Sequence, residues 1–161
     1  MRKWIIGRPD SAAVAALMQK SGLSELACKV LVSQGCVSIE QASARMGCKS
    51  LSDPSSIVDM EEAAAAILEA VDTGKRICVY GDYDCDGVMS TVILYTFLES
   101  IGADVMWRIP ERSEGYGLNE NAVRELHEAG VRMIVTVDNG ISAIAEAALI
   151  AELGMDLVIT D

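Results

Sequence analysis

Three aspartates alternate with other residues in Asp82-Tyr83-Asp84-Cys85-Asp86-Gly87, directly after the apolar run Val79-Tyr80-Gly81. Asp138 follows Val135-Thr136-Val137 in the same way, and Asp161 follows Val158-Ile159-Thr160. Carboxylates gathered at one place repel each other, so they either take up protons or hold a divalent cation. Oxygen-only ligands suit Mg2+ or Mn2+ better than zinc. The competing reading is local, since an aspartate at a strand end can cap the following helix or form an Asx turn. Each single aspartate fits both readings; three at alternating positions exceed what one cap requires.

For these carboxylates to meet, the chain must bring several strand ends together. Four apolar segments at 77–81, 104–109, 132–137 and 155–160 have strand character. Helical stretches at about 88–101, 119–129 and 142–153 separate them, the last two with caps at Asn119 and Ser142 and stops at Gly130 and Gly154. Alternating strand and helix gives right-handed crossovers and a parallel, doubly wound, Rossmann-like α/β sheet. Ligands of such sheets bind at the carboxyl ends of the strands, so the aspartates should share one crevice. Strand 155–160 lies at the chain end without a helix after it, leaving an edge through which a homodimer could form.

Upstream, Asp10 or Ser11 caps a helix to about Lys20, Ser24 one to about Gln34, and Ser38 with Gln41 makes a capping-box pattern. Residues 48–57, rich in Ser, Asp and Pro, read as a linker. The expected division is a helical N-terminal region, 1–58, and an α/β region, 59–161. The latter opens on a second capping box, Asp59 with Glu62, and a helix to about Thr73 stopped by Gly74.

The chain has 161 residues, 51% of them hydrophobic and 23% charged, which is a globular composition of about one domain's length. Thirteen Lys and Arg against 24 Asp and Glu leave a net charge of −11, which excludes a domain that grips nucleic acid by overall positive charge. Five cysteines without a C-x-x-C pair argue against a disulfide or zinc framework, and with no secretory leader evident a reducing cytoplasm is expected. No apolar run approaches the roughly 18 residues of a membrane span, so no membrane partner is expected.

Two short signatures overlap the 82–88 segment. It opens like a calcium EF-hand loop, but the twelfth position is Ile93 where a bidentate Glu is required, and a strand rather than a helix precedes it. Asp84-Cys85-Asp86-Gly87-Val88 also satisfies D-x-D-x-[TV] of haloacid-dehalogenase-like phosphatases, with one Asp as nucleophile and one as general acid. That leaves Asp82, Asp138 and Asp161 without a task.

Other side chains read as follows. His127 sits among charged residues as a surface histidine. Arg108 and Arg112 flank the loop ending in Gly115-Tyr116-Gly117, where Arg suits phosphate and Tyr116 a base, with a salt bridge and a turn as the alternative. Met46, Met60, Met89 and Met106 read as core filler, and Cys78 as a small buried hydrophobe.

The segments Val79 to Gly87, Thr136-Val137-Asp138-Asn139-Gly140-Ile141-Ser142 and Val158-Ile159-Thr160-Asp161 resemble, in order and spacing, the first three motifs of the DHH phosphoesterase superfamily. Within it, Ile109-Pro110-Glu111-Arg112, Glu114-Gly115-Tyr116-Gly117-Leu118 and the opening Lys3-Trp4 are similar to the RecJ group of single-stranded-DNA-specific exonucleases. The superfamily takes its name from an Asp-His-His triplet, and this sequence stops at Asp161, where the histidines would follow. The resemblance therefore makes the chain an N-terminal fragment ending inside that motif. RecJ proteins continue with a fourth-motif aspartate, a second domain that closes on the substrate and usually an OB-fold.

Carried over by position, the resemblance implies that Asp84, Asp86 and Asp138 are metal ligands, with Asp138 bridging two ions and Asp161 orienting or contacting the site. It implies that Asp82 is a ligand or supports one, and that Arg112 and Tyr116 meet substrate. Two ions about 3.5 to 4 Å apart would activate water and stabilise the departing oxygen. The implied activity is Mn2+- or Mg2+-dependent 5′ to 3′ hydrolysis of single-stranded DNA in repair and recombination. The fragment itself would be inactive and would hold at most one ion weakly. The alternatives are a DHH-family oligoribonuclease or cyclic-dinucleotide phosphodiesterase, the phosphatase above, and a non-catalytic binding module.

Overall fold

The structure, a computed structural model, describes residues 7–47 and 53–161; Lys3-Trp4 and much of the expected linker lie outside the described residues. The chain separates into two compact units, 1–53 and 54–161, where the sequence suggested a break at 58.

The first unit is helical. α1 (Ser11–Ser21) starts where the Asp10 carboxylate accepts a hydrogen bond from Ala12 N, and ends at Gly22 in the left-handed conformation. α2 (Glu25–Ser33) is capped by Ser24, and α3 (Ile39–Met46) carries the full Ser38–Gln41 capping box. Val14, Leu17, Cys28, Leu31, Cys36 and Ala42 make its small core.

The second unit begins with a 3-10 turn (Pro54–Ser56) and α4 (Met60–Asp72), then alternates β1 (Ile77–Tyr80), α5 (Cys85–Ser100), β2 (Val105–Arg108), α6 (Glu120–Glu128), β3 (Met133–Val137), α7 (Ile144–Glu152) and β4 (Asp156–Thr160). The four strands form one parallel sheet in the order β2-β1-β3-β4. Successive β1 side chains enter opposite layers, as the period of two requires. Ile77 and Val79 join Met133, Val135, Leu98 and Ala70 beneath α4 and α5. Cys78 and Tyr80 join Ile134, Val123, Leu126, Leu149 and Ile150 beneath α6 and α7. Helices thus cover both faces, and every β1 and β3 residue is buried.

The chain leaves β1 in one direction to β2 and returns past it to β3. The crevice between the carboxyl ends of β1 and β3 is therefore the switch point of the sheet, where open α/β folds bind ligands. No helix among the described residues is long and apolar enough to cross a membrane.

Four local expectations are corrected. Asp59 adopts a left-handed conformation (φ 58°) and makes no side-chain cap bond, so the second capping box does not form. Ser142 does not cap α7 with its side chain: Ala143 occupies the cap position, and Ile144 N donates to the Ser142 carbonyl. α5 begins at Cys85 rather than 88 because Asp84 caps it. Met46 and Met89 are exposed, and Met60 and Met106 are only half-buried, so none of the four lies in the fully buried core.

Leu98, fully buried near the end of α5, tests the layer beneath α4 and α5. Leu98→Ala should lower stability by about 2–5 kcal/mol through lost burial and a residual cavity. Urea denaturation followed by circular dichroism measures it; a loss below about 1 kcal/mol would contradict the packing described.

Candidate metal centre

Where β1 ends, Gly81 and Asp82 lead into α5. The Asp84 side chain caps that helix, its Oδ1 accepting from Asp86 N at 2.9 Å and Gly87 N at 3.3 Å. Two glycines let the first turn of α5 close onto the strand end. A Cβ at Gly87 would overlap the Asp82 carboxylate, and one at Gly81 would overlap Thr91 Oγ1 and lie 2.9 Å from the Gly87 carbonyl. Asp82 is consequently fully buried. Its Oδ1 accepts from Asp84 N at 3.4 Å, whereas Oδ2 has no hydrogen-bond partner. A buried carboxylate oxygen left so is costly unless a cation meets it.

Asp138 follows β3 in the left-handed region (φ 58°), a conformation that costs a non-glycine residue about 1–3 kcal/mol unless its surroundings hold it. Its N–H donates to the Thr160 carbonyl at 2.9 Å, and its own carbonyl accepts from the Tyr116 hydroxyl at 3.1 Å. Gly140 (φ 112°) turns the loop so tightly that a Cβ there would stand 2.8 Å from Thr136 Oγ1. Asp82, Asp84 and Asp138 each bring a carboxylate oxygen within 4.8 Å of the others. Burial pushes the Asp138 carboxyl above its ordinary value, and the charges of Asp82, Asp84, Asp86 and Asp161 push it further.

Of the five aspartates singled out in the sequence, the structure gathers these three. Asp82, which had stood between ligand and support, belongs to the trio. Asp86 lies exposed in the first turn of α5, outside it. Asp161 is also outside, its Oδ2 accepting from Ile141 N at 2.9 Å and so fixing the loop after β3. For Asp84 the capping and metal readings are compatible, because both cap bonds fall on Oδ1.

Above the carboxylates stands an aromatic group. Tyr116 meets Tyr83 edge to face at 6.0 Å between centroids, and the Arg112 guanidinium lies over the Tyr83 ring at 4.9 Å. Arg108 takes the salt-bridge alternative, pairing with Glu114 at 2.9 Å and Glu125 at 2.7 Å, while Glu114 also accepts from Glu111 N. Arg108 therefore braces the loop that carries Arg112 and Tyr116. Burial pushes the Cys78 thiol up to about 12, which leaves it no nucleophilic character. Sequence reasoning assigned nothing to Asn139, which is buried and donates to the Tyr80 and Val137 carbonyls. No local pattern announces this, since Tyr80 lies 59 positions upstream.

Residues 76–161 match the model of the DHH family, N-terminal domain. The chain belongs to the DHH family. It is 40% identical to the single-stranded-DNA-specific exonuclease RecJ of Bacillus subtilis (strain 168), over 99% of this chain and 21% of that protein. It is 46% identical to the RecJ of Thermus thermophilus, over 63% of this chain and 15% of that protein. This DHH chain thus matches between 15% and 21% of the length of these curated relatives. It is also similar to the crystal structure of RecJ in complex with Mn2+ from Thermus thermophilus, with a TM-score of 0.60, 29% identity and coverage of 97% of this chain and 22% of that one. A crystal structure of exonuclease RecJ bound to manganese matches with a TM-score of 0.58 and 46% identity, over 62% of this chain and 26% of that one.

The raised Asp138 carboxyl has a direct consequence for the metal-free chain. A group whose pKa is higher folded than unfolded contributes stability below the ordinary carboxylate range, and that contribution is lost as pH rises through the folded value. Carbon-13 NMR titration should place Asp138 above the ordinary Asp value of 3.8, and Asp82→Asn, which removes the largest of the neighbouring charges acting on it, should lower it. An Asp138 midpoint unmoved by Asp82→Asn would show that the two carboxylates do not interact.

Proposed function

We propose that Asp82, Asp84 and Asp138 hold a divalent cation, Mn2+ or Mg2+, and that the chain is the metal-holding part of an exonuclease that hydrolyses the phosphodiester bonds of single-stranded DNA. The observation that carries this reading is the buried Asp82 carboxylate, one oxygen of which has no hydrogen-bond partner, gathered with Asp84 and Asp138 at the sheet's switch point. Three oxygen donors of this kind fit Mn2+ or Mg2+, which take carboxylate and water oxygens. When bound, such an ion supplies a Lewis acid for the phosphate oxygens and lowers the pKa of a coordinated water.

The chain's own residues set the geometry. Asp82 is immobilised by burial and Asp138 by its backbone bonds, so a cation site is held before substrate arrives. Asp86 and Asp161 add negative charge beside it, as their effect on Asp138 indicates. Arg112 offers a phosphate its guanidinium and Tyr116, exposed over the crevice, offers a base its ring. The relatives named as single-stranded-DNA-specific exonucleases support the substrate class. The 5′ to 3′ direction, a role in repair and recombination in the cytoplasm, and the division into a helical N-terminal region, 1–58, and the N-terminal part of a DHH phosphoesterase domain, 59–161, belong to the same proposal.

Mn2+ binding to the chain, followed by loss of the free-ion EPR signal, tests the site. Asp82→Asn and Asp138→Ala should each weaken binding at least tenfold, and unchanged binding in both variants would refute the ligand assignment. In the whole protein, the same substitutions should abolish release of mononucleotides from 5′-labelled single-stranded DNA. Hydrolysis of cyclic dinucleotides with single-stranded DNA left intact would overturn the substrate.

A further inference from the structure

The strand ends that carry the three carboxylates are tied together by one side chain. Asn139 is 1% exposed, and its Nδ2 donates to the carbonyl of Tyr80, the last residue of β1, at 3.1 Å and to that of Val137, the last residue of β3, at 2.9 Å. The ladder between these strands ends at the Tyr80–Thr136 pair. Beyond that pair the chain runs on to Asp82 from one strand and to Asp138 from the other, and the Asn139 amide joins the two strand ends. Both amide hydrogens are used, one on each strand.

We infer that Asn139 is a positioning residue of the metal site, fixing the separation of the β1 and β3 ends and thereby that of Asp82 from Asp138. The inference rests on the metal reading above and adds to it a residue that is not a ligand. Three features support it. Asp138 sits between Val137, whose carbonyl Asn139 holds, and Asn139 itself, so the left-handed turn that orients Asp138 is closed on both sides by one residue. The amide is specific in shape, because it satisfies two carbonyls facing it from different strands, which a hydroxyl or a methyl cannot do. Asn139 Oδ1 is buried with no hydrogen-bond partner, so the two bonds its Nδ2 donates are the ones that fix the amide.

Asn139 also touches the loop bearing the aromatic group. A Cβ on Gly117 (φ 74°) would lie 3.6 Å from the Asn139 side chain, and the Gly117 carbonyl accepts from the Tyr80 hydroxyl at 3.2 Å. The residue that spaces the carboxylates therefore also backs the Gly115-Tyr116-Gly117 turn. Groups that hold ligands in place in this manner typically change metal affinity about 10- to 100-fold when removed.

The test compares Mn2+ affinity by EPR in the chain and its variants Asn139→Ala, Asn139→Ser, Asp138→Ala and Leu98→Ala, each at a temperature well below its own unfolding midpoint. Leu98 lies 13 residues from the start of α5, about 20 Å along the helix, and serves as a destabilised control. Asp138→Ala should abolish binding, both Asn139 variants should weaken it about 10- to 100-fold and broaden the bound Mn2+ spectrum, and Leu98→Ala should bind like the parent. Asn139→Ser keeps a polar atom, so it serves if Asn139→Ala does not fold. Parental affinity and spectrum in the folded Asn139 variants, with binding lost in Asp138→Ala, would overturn the positioning role and leave the metal reading standing. Equal weakening in Leu98→Ala and the Asn139 variants would reduce Asn139 to a structural residue. Parental binding in Asp138→Ala would overturn the metal reading itself.

Discussion

The buried Asp82 carboxylate is the constraint around which the second unit is arranged. A carboxylate with no solvent and one unpartnered oxygen is costly unless a proton or a cation meets it, and here its neighbours are two further carboxylates. Alone, that cluster is repulsive: burial raises the Asp138 carboxyl, and the charges of Asp82 and Asp84 raise it further. With a divalent cation the same three charges become attractive partners. The geometry is costly without a cation, and the sheet, the glycines and the caps hold it in place.

Those supports are economical in residues. Gly81 and Gly87 remove the two Cβ atoms that would keep α5 from approaching Asp82. Asp84 uses Oδ1 to cap that helix and still contributes a carboxylate to the trio. Thr91 Oγ1 donates to the Gly87 carbonyl at 2.7 Å and occupies the space that Gly81, lacking a Cβ, leaves open. On the β3 side Asp138 is held by Thr160, Tyr116 and the turn at Gly140. Short-range backbone strain is balanced by bonds that reach other strands, which is how pre-organised sites are generally kept.

Much of this was legible in the sequence. The alternation of apolar runs with glycine-stopped helical segments set the parallel sheet, because each period has only one packing solution in a short chain. The aspartates after three of the four strands marked the crevice, since a parallel sheet places all its carboxyl ends on one side. What was hidden depends on residues far apart in the chain. Asn139 bonds a carbonyl on β1, 59 positions upstream, and the salt bridge that the sequence offered as an alternative for Arg108 has in Glu125 a partner 17 positions away that no local spacing encodes. Asp59 and Ser142 misled because their residue types favour caps while the backbone around them took other conformations. Asp84 stayed ambiguous for a different reason: capping and ligation call for the same carboxylate, and in the structure the carboxylate that caps α5 through Oδ1 also stands within the trio.

The net charge of −11 bears on how such a site could meet a polyanion. Long-range attraction cannot come from the chain as a whole, and at physiological salt the field of distant surface charges is screened within about 8 Å. What governs encounter is the charge inside that radius. Without a cation, five aspartates and Arg112 leave the crevice mouth negative, and a phosphodiester is repelled. A divalent ion removes two units of that charge at the point where the phosphate must arrive, while the Arg112–Tyr83–Tyr116 group presents a cation and aromatic faces beside it. On the proposed reading, metal occupancy therefore governs substrate approach as well as chemistry, through the charge of the crevice rather than that of the whole chain.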